Sequence, residues 1–352
     1  MQATIQNVIN IFSKVTQDIS NKMMLHAALI TMTLERKNYT SMARENKVPY
    51  DKIRLDVEEI PEQISACKKM LLEKVHDRVK ITGKEGYFLI DYTMLQKSFA
   101  EQIEGLTYDR DGVTRRVQKG FSAGFCFWSD GEITIPLNFE LWFRKKDAED
   151  LYKKKSDQAM ELILWAKEVG LPFSDVRADG AFSSEKVLAF LKNQGLNLTM
   201  RIAKNKKITT DKNLEEIALA EHPELKLIRN QRSKTIKGCY KGISAYFTVQ
   251  KRKKRGAKHE IVFIISTVER SAKEHIHAYG DRWPAEKYFR TAKQHLGITH
   301  CQSTDLAKQR FHIFSVMLSY TVLELTRNDK QESSIEIIIH SIRRQKILNL
   351  IA

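Results

Sequence analysis

A group of ionisable side chains near residue 280 has the spacing of a phosphoryl-transfer site. Glu286 and Lys293 are seven residues apart, which is two helical turns, so both side chains project from one face. Arg282 lies one turn before Glu286, and Tyr279 lies three residues before Arg282. The carboxylate would bind a metal ion, while Arg282 and Lys293 would hold phosphate groups. Charged residues at helical spacing more often form a solvated face, so the rest of the chain must decide.

The composition favours a polyanionic partner. The chain of 352 residues has 59 lysines and arginines against 43 acidic residues, which gives a formal net charge of +16. Nucleic acid is the commonest partner of such a basic protein. No apolar run approaches the roughly 20 residues that span a bilayer, so we expect no membrane partner. The first residues lack the basic region of a secretory signal, and the four cysteines lack the paired spacing of a zinc motif or a disulfide framework. These features predict a reduced, intracellular protein.

The elements before this stretch predict an α/β protein with a helical beginning. Residues 1 to about 80 have helical periodicity, and residues 39–60 read equally well as a helix-turn-helix or as an ordinary helical hairpin. Residues 86–91 form a short apolar strand that ends in Asp91. Residues 173–179 form another strand, which ends in Asp179. Helices and further strands alternate after them, as in a mixed sheet flanked by helices.

Three carboxylates therefore fall at the ends of predicted elements. If the two strands pair side by side and in parallel, Asp91 and Asp179 lie close together, and a helix packed on the sheet delivers Glu286 to them. Clustered carboxylates repel one another unless divalent cations neutralise them. Hard oxygen ligands select Mg²⁺ or Mn²⁺, and two such ions can promote in-line displacement at phosphorus.

The chain resembles the DDE transposases of bacterial insertion sequences, specifically the IS-four type. Tyr279, Arg282, Glu286 and Lys293 match the Tyr-x2-Arg-x3-Glu-x6-Lys signature of that family, and the segments around Asp91 and Asp179 resemble its two catalytic aspartates. The resemblance covers roughly residues 84–327. It implies that these three carboxylates are catalytic and bind two Mg²⁺ or Mn²⁺ ions. The glycine after Asp179 comes one residue earlier than the family usually has it, so Asp175 stays open as an alternative ligand.

The resemblance also implies an RNase H-like fold, with a β-rich insertion before the last catalytic helix and a helical N-terminal domain. We expect a helical DNA-binding region over residues 1–80 and the first part of the catalytic core over residues 81–202. A basic β-rich insertion over residues 203–268 then precedes the rest of the core, residues 269–330, which carries the Glu286 helix. Residues 331–352 are expected to form a C-terminal helix. The implied activity is cleavage of the element ends by two-metal-ion chemistry and joining of 3′-hydroxyls to target DNA. A synaptic homodimer on double-stranded DNA in the bacterial cytoplasm, associated with the nucleoid, is expected.

Several basic and aromatic residues are predicted to contact DNA. Those near Glu286 are Tyr279, Arg282, Trp283, Arg290 and Lys293, although Trp283 is better explained as a core anchor. The second group is the basic run Lys251, Arg252, Lys253, Lys254 and Arg255, which otherwise would be a solvated hairpin tip. Two other functions stay open: a regulator or inactive relative that kept the fold and lost catalysis, and a metal-dependent nuclease without strand transfer.

Overall fold

The computed structural model describes residues 2–15, 21–111, 114–253 and 259–351. The helices are α1 (Gln2–Val15), α2 (Asn21–Met32), α3 (Tyr39–Asn46), α4 (Tyr50–Ile53), α5 (Ile60–Thr82), α6 (Lys155–Glu168), α7 (Glu185–Asn193), α8 (Ala272–Gly280), α9 (Trp283–Gln294), α10 (Leu306–Asp329) and α11 (Ile335–Ile351). The strands are β1 (Tyr87–Gln96), β2 (Thr107–Arg110), β3 (Val117–Ser129), β4 (Thr134–Trp142), β5 (Asp175–Ala178), β6 (Asn197–Ile202), β7 (Lys207–Thr210), β8 (Asn213–Ala218), β9 (Ser233–Tyr240), β10 (Ile243–Arg252) and β11 (Glu260–Ser266).

The strands in the described part of the chain form one large mixed sheet. Their order is β2-β3-β1-β5-β6-β11-β10-β9-β7-β8, and β4 also pairs with β3. β1 runs parallel to β5, and β5 runs parallel to β6, whereas β1 and β3 are antiparallel. The predicted α/β architecture, a mixed sheet flanked by helices, is confirmed. The segment 203–268 extends this sheet rather than forming a separate unit, because β11 pairs antiparallel with β6.

The parallel pair of β1 and β5 brings the two aspartates to the same edge of the sheet. Ile90 is the register partner of Ala178, so Asp91 and Asp179 follow at the next position of each strand. Asp175 lies at the opposite end of β5, where it is buried and paired with Arg177. The register therefore favours Asp179 over Asp175 as the neighbour of Asp91.

The N-terminal helices share the core of the catalytic region. α10 is buried on all sides from Phe311 to Glu324, because α2, α5 and β4 pack around it. Ser319 on α10 donates a hydrogen bond to the carbonyl oxygen of Ala27 on α2 at 2.9 Å. One continuous hydrophobic cluster runs from Val8 to Ile339. The predicted boundary near residue 80 is therefore not a break in the core, and the periodicity of a single helix could not show what packs against it.

The segment predicted as a helix-turn-helix is a short helical hairpin. α3 has eight residues and ends at Lys47, whose backbone is left-handed, and Pro49 precedes α4. α4 has only four residues, about one turn, whereas a helix that lies in a major groove presents several turns. The interpretation as an ordinary helical hairpin describes residues 39–60 better, and DNA recognition by this region stays a prediction.

A buried histidine pair links α2 to α10 and should make folding pH-dependent. The ring of His26 lies 5.1 Å from Tyr39, 5.3 Å from Phe311 and 5.6 Å from His312. Within the described ranges, neither ring nitrogen has a hydrogen-bond partner. Burial, and then the neighbouring His312, lower the pKa of His26 well below 6.5. The unfolded chain thus binds a proton that the folded chain excludes. The contribution of neutral His26 to the free energy of unfolding is fully present above pH 6.5 and is lost as the pH falls toward the lowered pKa.

We compare the free energy of unfolding of His26→Phe with that of the wild type. We expect the difference in favour of His26→Phe to be larger at pH 5 than at pH 8, by up to about 2 kcal/mol. Urea unfolding at both pH values measures this. The exposed His259 supplies the control, since His259→Phe should follow the wild type at both pH values. An equal difference between His26→Phe and the wild type at pH 5 and pH 8 would contradict the prediction.

Two smaller expectations concern the cysteines and the membrane. All four cysteines are free thiols, and Cys67, Cys126 and Cys301 are buried. Across the described ranges, every helix is too short or too polar to cross a bilayer.

Candidate active site

Aromatic packing places the helix that carries Glu286 on the sheet. Tyr288 and Phe289 of α9 pack edge-on against Phe125 and Phe127 of β3, with ring centroids 5.2–5.8 Å apart. Phe125 is the register partner of Asp91 on β1. The buried face of α9 thus lies over the strand that presents Asp91, and the flanking Glu286 points toward the same edge.

Arg282 joins two of the three predicted carboxylates. Its Nη1 lies 3.1 Å from Asp91 Oδ2, and its Nη2 lies 2.5 Å from Glu286 Oε1. Burial alone would lower the pKa of Arg282, but the charges of Asp91, Glu286 and Asp179 raise it on balance. The buried Nε of Arg282 has no hydrogen-bond partner among the residues that the structure describes. One guanidinium is therefore stabilised in its charged form by all three carboxylates.

The protonation of Asp91 reflects the same crowding. Burial raises the pKa of Asp91 to about 6; Arg282 opposes this rise, and Asp179 and Glu286 add to it. The backbone N–H of Tyr92 donates to Asp91 Oδ1 at 2.9 Å. Two nearby anions thus repel the charged form of this buried aspartate. A cation bound among the three carboxylates would relieve that repulsion.

Asp179 is held by the turn that follows β5. Its side chain caps the short 3₁₀ turn Gly180–Phe182 and accepts from the backbone N–H of Gly180 at 2.7 Å. A side chain at residue 180 would lie 3.3 Å from the carbonyl oxygen of Arg201 on β6. A glycine directly after Asp179, the departure from the family pattern, therefore permits close approach to the next strand.

Tyr279 and Arg282 do not lie on the helix of Glu286. The chain breaks between Gly280 and Trp283, so Arg282 does not lie one turn before Glu286 on a continuous helix. Pro284 sits in the first turn of α9, where its missing N–H costs nothing, so a new helix begins there. Arg282 is the residue that caps α9, and its guanidinium lies 5.7 Å from the ring centre of Tyr279 on α8.

Lys293 occupies the other end of the same helix face. Its Nζ donates to Thr93 Oγ1 at 2.7 Å, two residues along β1 from Asp91. Burial lowers the pKa of Lys293, and the charges of Asp111 and Asp91 oppose this. Glu286 and Lys293 project from one face of α9, as predicted. Lys293 contacts Thr93 on β1, and Glu286 contacts Arg282, which is paired with Asp91 on β1.

The remaining predicted DNA contacts are exposed or lie outside the described residues. The side chain of Trp283 is 48% exposed, and the guanidinium of Arg290 lies 5.7 Å from its ring centre, so the interpretation of Trp283 as a core anchor is wrong. Lys251 and Lys253 are exposed, and Arg252 is paired with Glu260 at 2.8 Å. Lys254 and Arg255 lie outside the described residues.

Sequence reasoning missed the group that fixes the break before α9. Arg177 Nη1 lies 2.5 Å from Asp281 Oδ2, and its Nε lies 3.1 Å from Asp175. The guanidinium of Arg177 also stacks on Tyr87, 3.5 Å from the ring centre. The ion pair holds Asp281, and with it the neighbouring Arg282, against β5. Alternation along β5 places Arg177 on the face of Asp179 and was the available signal.

The donor chemistry fits a divalent cation, although the side chains are not arranged around one. Asp91, Asp179 and Glu286, the last two of which add to the raised pKa of Asp91, supply hard oxygen ligands of the kind that Mg²⁺ and Mn²⁺ prefer. In the described part of the chain, no three histidine, cysteine or acidic side chains are placed to hold an ion together. Arg282 lies between Asp91 and Glu286 instead, so its guanidinium must move for both carboxylates to share an ion.

Comparison with known proteins supports one family. No curated protein matches the chain. Residues 153–322, just under half of the chain, match the family model described as "Transposase DDE domain". The matched segment includes Asp179, Glu286 and Lys293, and it begins after Asp91. The match makes this segment similar to the DDE domain of transposases.

Proposed function

We propose that this protein is a DNA transposase of the IS-four type. It would bind the terminal inverted repeats of an insertion sequence, cleave the DNA ends by two-metal-ion phosphoryl transfer and join the 3′-hydroxyls to target DNA. The observation that carries the proposal is the grouping of Asp91, Asp179 and Glu286 around Arg282, where Asp91 in the middle of β1 lies beside Asp179 at the end of β5.

The three carboxylates would hold two Mg²⁺ or Mn²⁺ ions. The ions would activate the attacking hydroxyl and stabilise the leaving oxygen. Arg282 would exchange its contacts with Asp91 and Glu286 for a phosphate of the bound strand, because a guanidinium binds either group through paired N–H donors. Lys293, anchored to Thr93, would act as a fixed point charge beside the same strand.

The exposed cations extend a DNA path along one edge of the sheet. Lys251 and Arg252 lie at the end of β10. Arg252 pairs with Glu260 of β11, which lies beyond the point where β11 stops pairing with the end of β6. Lys251 and Arg252 are therefore at the same edge of the sheet as Asp91 and Asp179. β10 is four strands from β1, or roughly 19 Å at about 4.8 Å per strand. Arg290 and Trp283 would contact DNA from the exposed face of α9, and Tyr279 would contact a phosphate beside Arg282. Two such chains would form the synaptic dimer.

The experiment is an assay of the full chain with Mg²⁺ on a duplex that carries one end of its element, with a supercoiled plasmid as target. Nicks at the element end together with joined products support the transposase. Nicks without joined products would support the nuclease instead. DNA binding without any nicking would support an inactive relative.

Lys293 should contribute one phosphate contact. We expect Lys293→Met to weaken DNA binding and to make the slope of log K against log salt less negative by about one. Fluorescence anisotropy across a salt series measures the slope. Lys330, exposed after α10, provides the control Lys330→Met, which should leave the slope unchanged. An unchanged slope for Lys293→Met would assign Lys293 a structural role at Thr93.

A further inference from the structure

A cavity of about 740 Å³ lies beyond the carboxylates, where β1 ends. Three segments that are distant in the sequence form its walls: Arg36, residues 96–103, and residues 299–302 together with Thr304. Lys97 Nζ donates to the carbonyl oxygens of Thr299 at 2.8 Å and Cys301 at 2.5 Å. At the other end, the N–H of Glu104 donates to the carbonyl oxygen of Thr304 at 3.0 Å. Hydrogen bonds thus join these two loop segments on both sides of the cavity.

The N-terminal region completes the wall. The backbone N–H of Lys37 donates to His300 Nδ1 at 3.1 Å, which brings the neighbouring Arg36 to the rim. Arg36 is exposed, and its guanidinium has no partner among the described residues. The cavity therefore has a cation at its mouth and a floor held by buried hydrogen bonds.

The lining has the chemistry that recognises a nucleotide. Phe99 stands at the rim with its ring completely exposed, and it makes no contact with another ring in the described part of the chain. Exposing a whole phenyl ring to water is unfavourable, whereas stacking a base on it is favourable. The amides of Gln102 and Gln302 line the same space. Gln302 Oε1 already accepts from Asn38 at 3.0 Å, so the carboxamide of Gln102 supplies the adjacent donor and acceptor that a base edge needs. Arg36 can pair with the phosphate; Glu101 is the acidic side chain of the lining.

The position of the cavity agrees with such a ligand. Gln96, in its wall, lies five residues beyond Asp91 on β1, which is about 17 Å at about 3.4 Å per residue. That distance corresponds to about five nucleotide steps at 3.4 Å per step of one strand. The Lys293–Thr93 contact lies between the two. A strand held at the carboxylates would therefore reach the cavity within about five nucleotides.

We propose that this cavity binds one unpaired nucleotide of the DNA strand that leaves the active site, with its base stacked on Phe99 and its phosphate at Arg36. The inference rests on the proposed function and adds a site to it. It gives the protein a preference for DNA that is unpaired close to the cleaved bond. It also assigns residues 97–104 a role in DNA binding rather than in the chemistry.

The test compares a blunt duplex with the same duplex carrying a short oligo-dT extension that contains one 2-aminopurine. We expect the full-length wild type to bind the extended duplex about tenfold more tightly and to quench the 2-aminopurine. Phe99→Ala should lose both effects, whereas Phe99→Trp should keep them. Because Phe99 is fully exposed, neither substitution should change the melting temperature. Leu214→Ala, at another exposed apolar side chain on β8, is the matched control and should behave as the wild type.

The outcomes separate the two proposals. If Phe99→Ala keeps the preference and the quenching, the nucleotide site is wrong, and binding of the blunt duplex leaves the proposed function standing. If the wild type binds neither duplex, the proposed function itself fails. Loss of the preference in Phe99→Ala together with unchanged binding of the blunt duplex supports both.

Discussion

Replacing Glu286 with glutamine should reduce Mg²⁺-dependent cleavage of DNA ends by at least about 10³-fold, while DNA binding stays within about threefold of the wild type. The substitution keeps the shape of the side chain and removes the charge. Charge stabilisation by metal ions contributes several kcal/mol to such reactions, and each 1.36 kcal/mol corresponds to a factor of about ten in rate. Single-turnover cleavage of a labelled end-bearing duplex measures the rate, and anisotropy measures the binding.

A second glutamate supplies the control for this prediction. Glu168 is exposed at the end of α6, away from the edge where β1 and β5 end, so Glu168→Gln should cleave at the wild-type rate. Glu286 is also paired with Arg282, so a thermal melt must accompany the assay. Cleavage by a folded Glu286→Gln protein at close to the wild-type rate would remove Glu286 from the catalytic group.

The strands that carry the aspartates were predictable because their signals are local. A short apolar run that ends in a carboxylate marks a buried strand, and Asp91 and Asp179 both follow such runs. The parallel pairing of the runs places the two residues at equivalent positions, as expected. Pro136 is likewise a local signal, because a proline within a sheet is confined to an edge or a bulge, and the register of β4 against β3 shifts beside Pro136.

The missed features depend on contacts between distant residues. The break before α9 is held by Asp281, whose partner Arg177 is 104 residues away. Helical periodicity continues across residues 281–282, so the sequence offered only Pro284 as a sign of a new helix. The shared core of α2 and α10 was hidden for the same reason, because α2, α5 and β4 together cover α10 on every side from Phe311 to Glu324. A pattern reports which residues are apolar, and the packing partners come from the tertiary fold.

Arg282 should compete with divalent cations for the carboxylates before DNA arrives. Its guanidinium bridges Asp91 and Glu286, and its buried Nε finds no hydrogen-bond acceptor in the described part of the chain. These contacts neutralise the same oxygens that would bind an ion, so the DNA-free protein should bind Mn²⁺ weakly. We expect Arg282→Gln to bind Mn²⁺ about tenfold more tightly, because a hydrogen bond to a charged group contributes about 1.5–3 kcal/mol and each 1.36 kcal/mol is a factor of about ten. Electron paramagnetic resonance of free Mn²⁺ measures the affinity without DNA.

The same substitution should act in opposite directions on metal binding and on catalysis. Without Arg282, the carboxylates lose their resident cation, so the metal-free protein should melt at a lower temperature and regain more stability when Mn²⁺ is added. With DNA bound, the missing guanidinium can no longer hold a phosphate, and cleavage should fall. Arg290→Gln is the matched control, since Arg290 contacts Trp283 and none of the carboxylates. If Arg282→Gln binds Mn²⁺ no more tightly than Arg290→Gln, Arg282 does not occupy the cation position, and its pairing with Asp91 and Glu286 only orients them for an ion bound elsewhere.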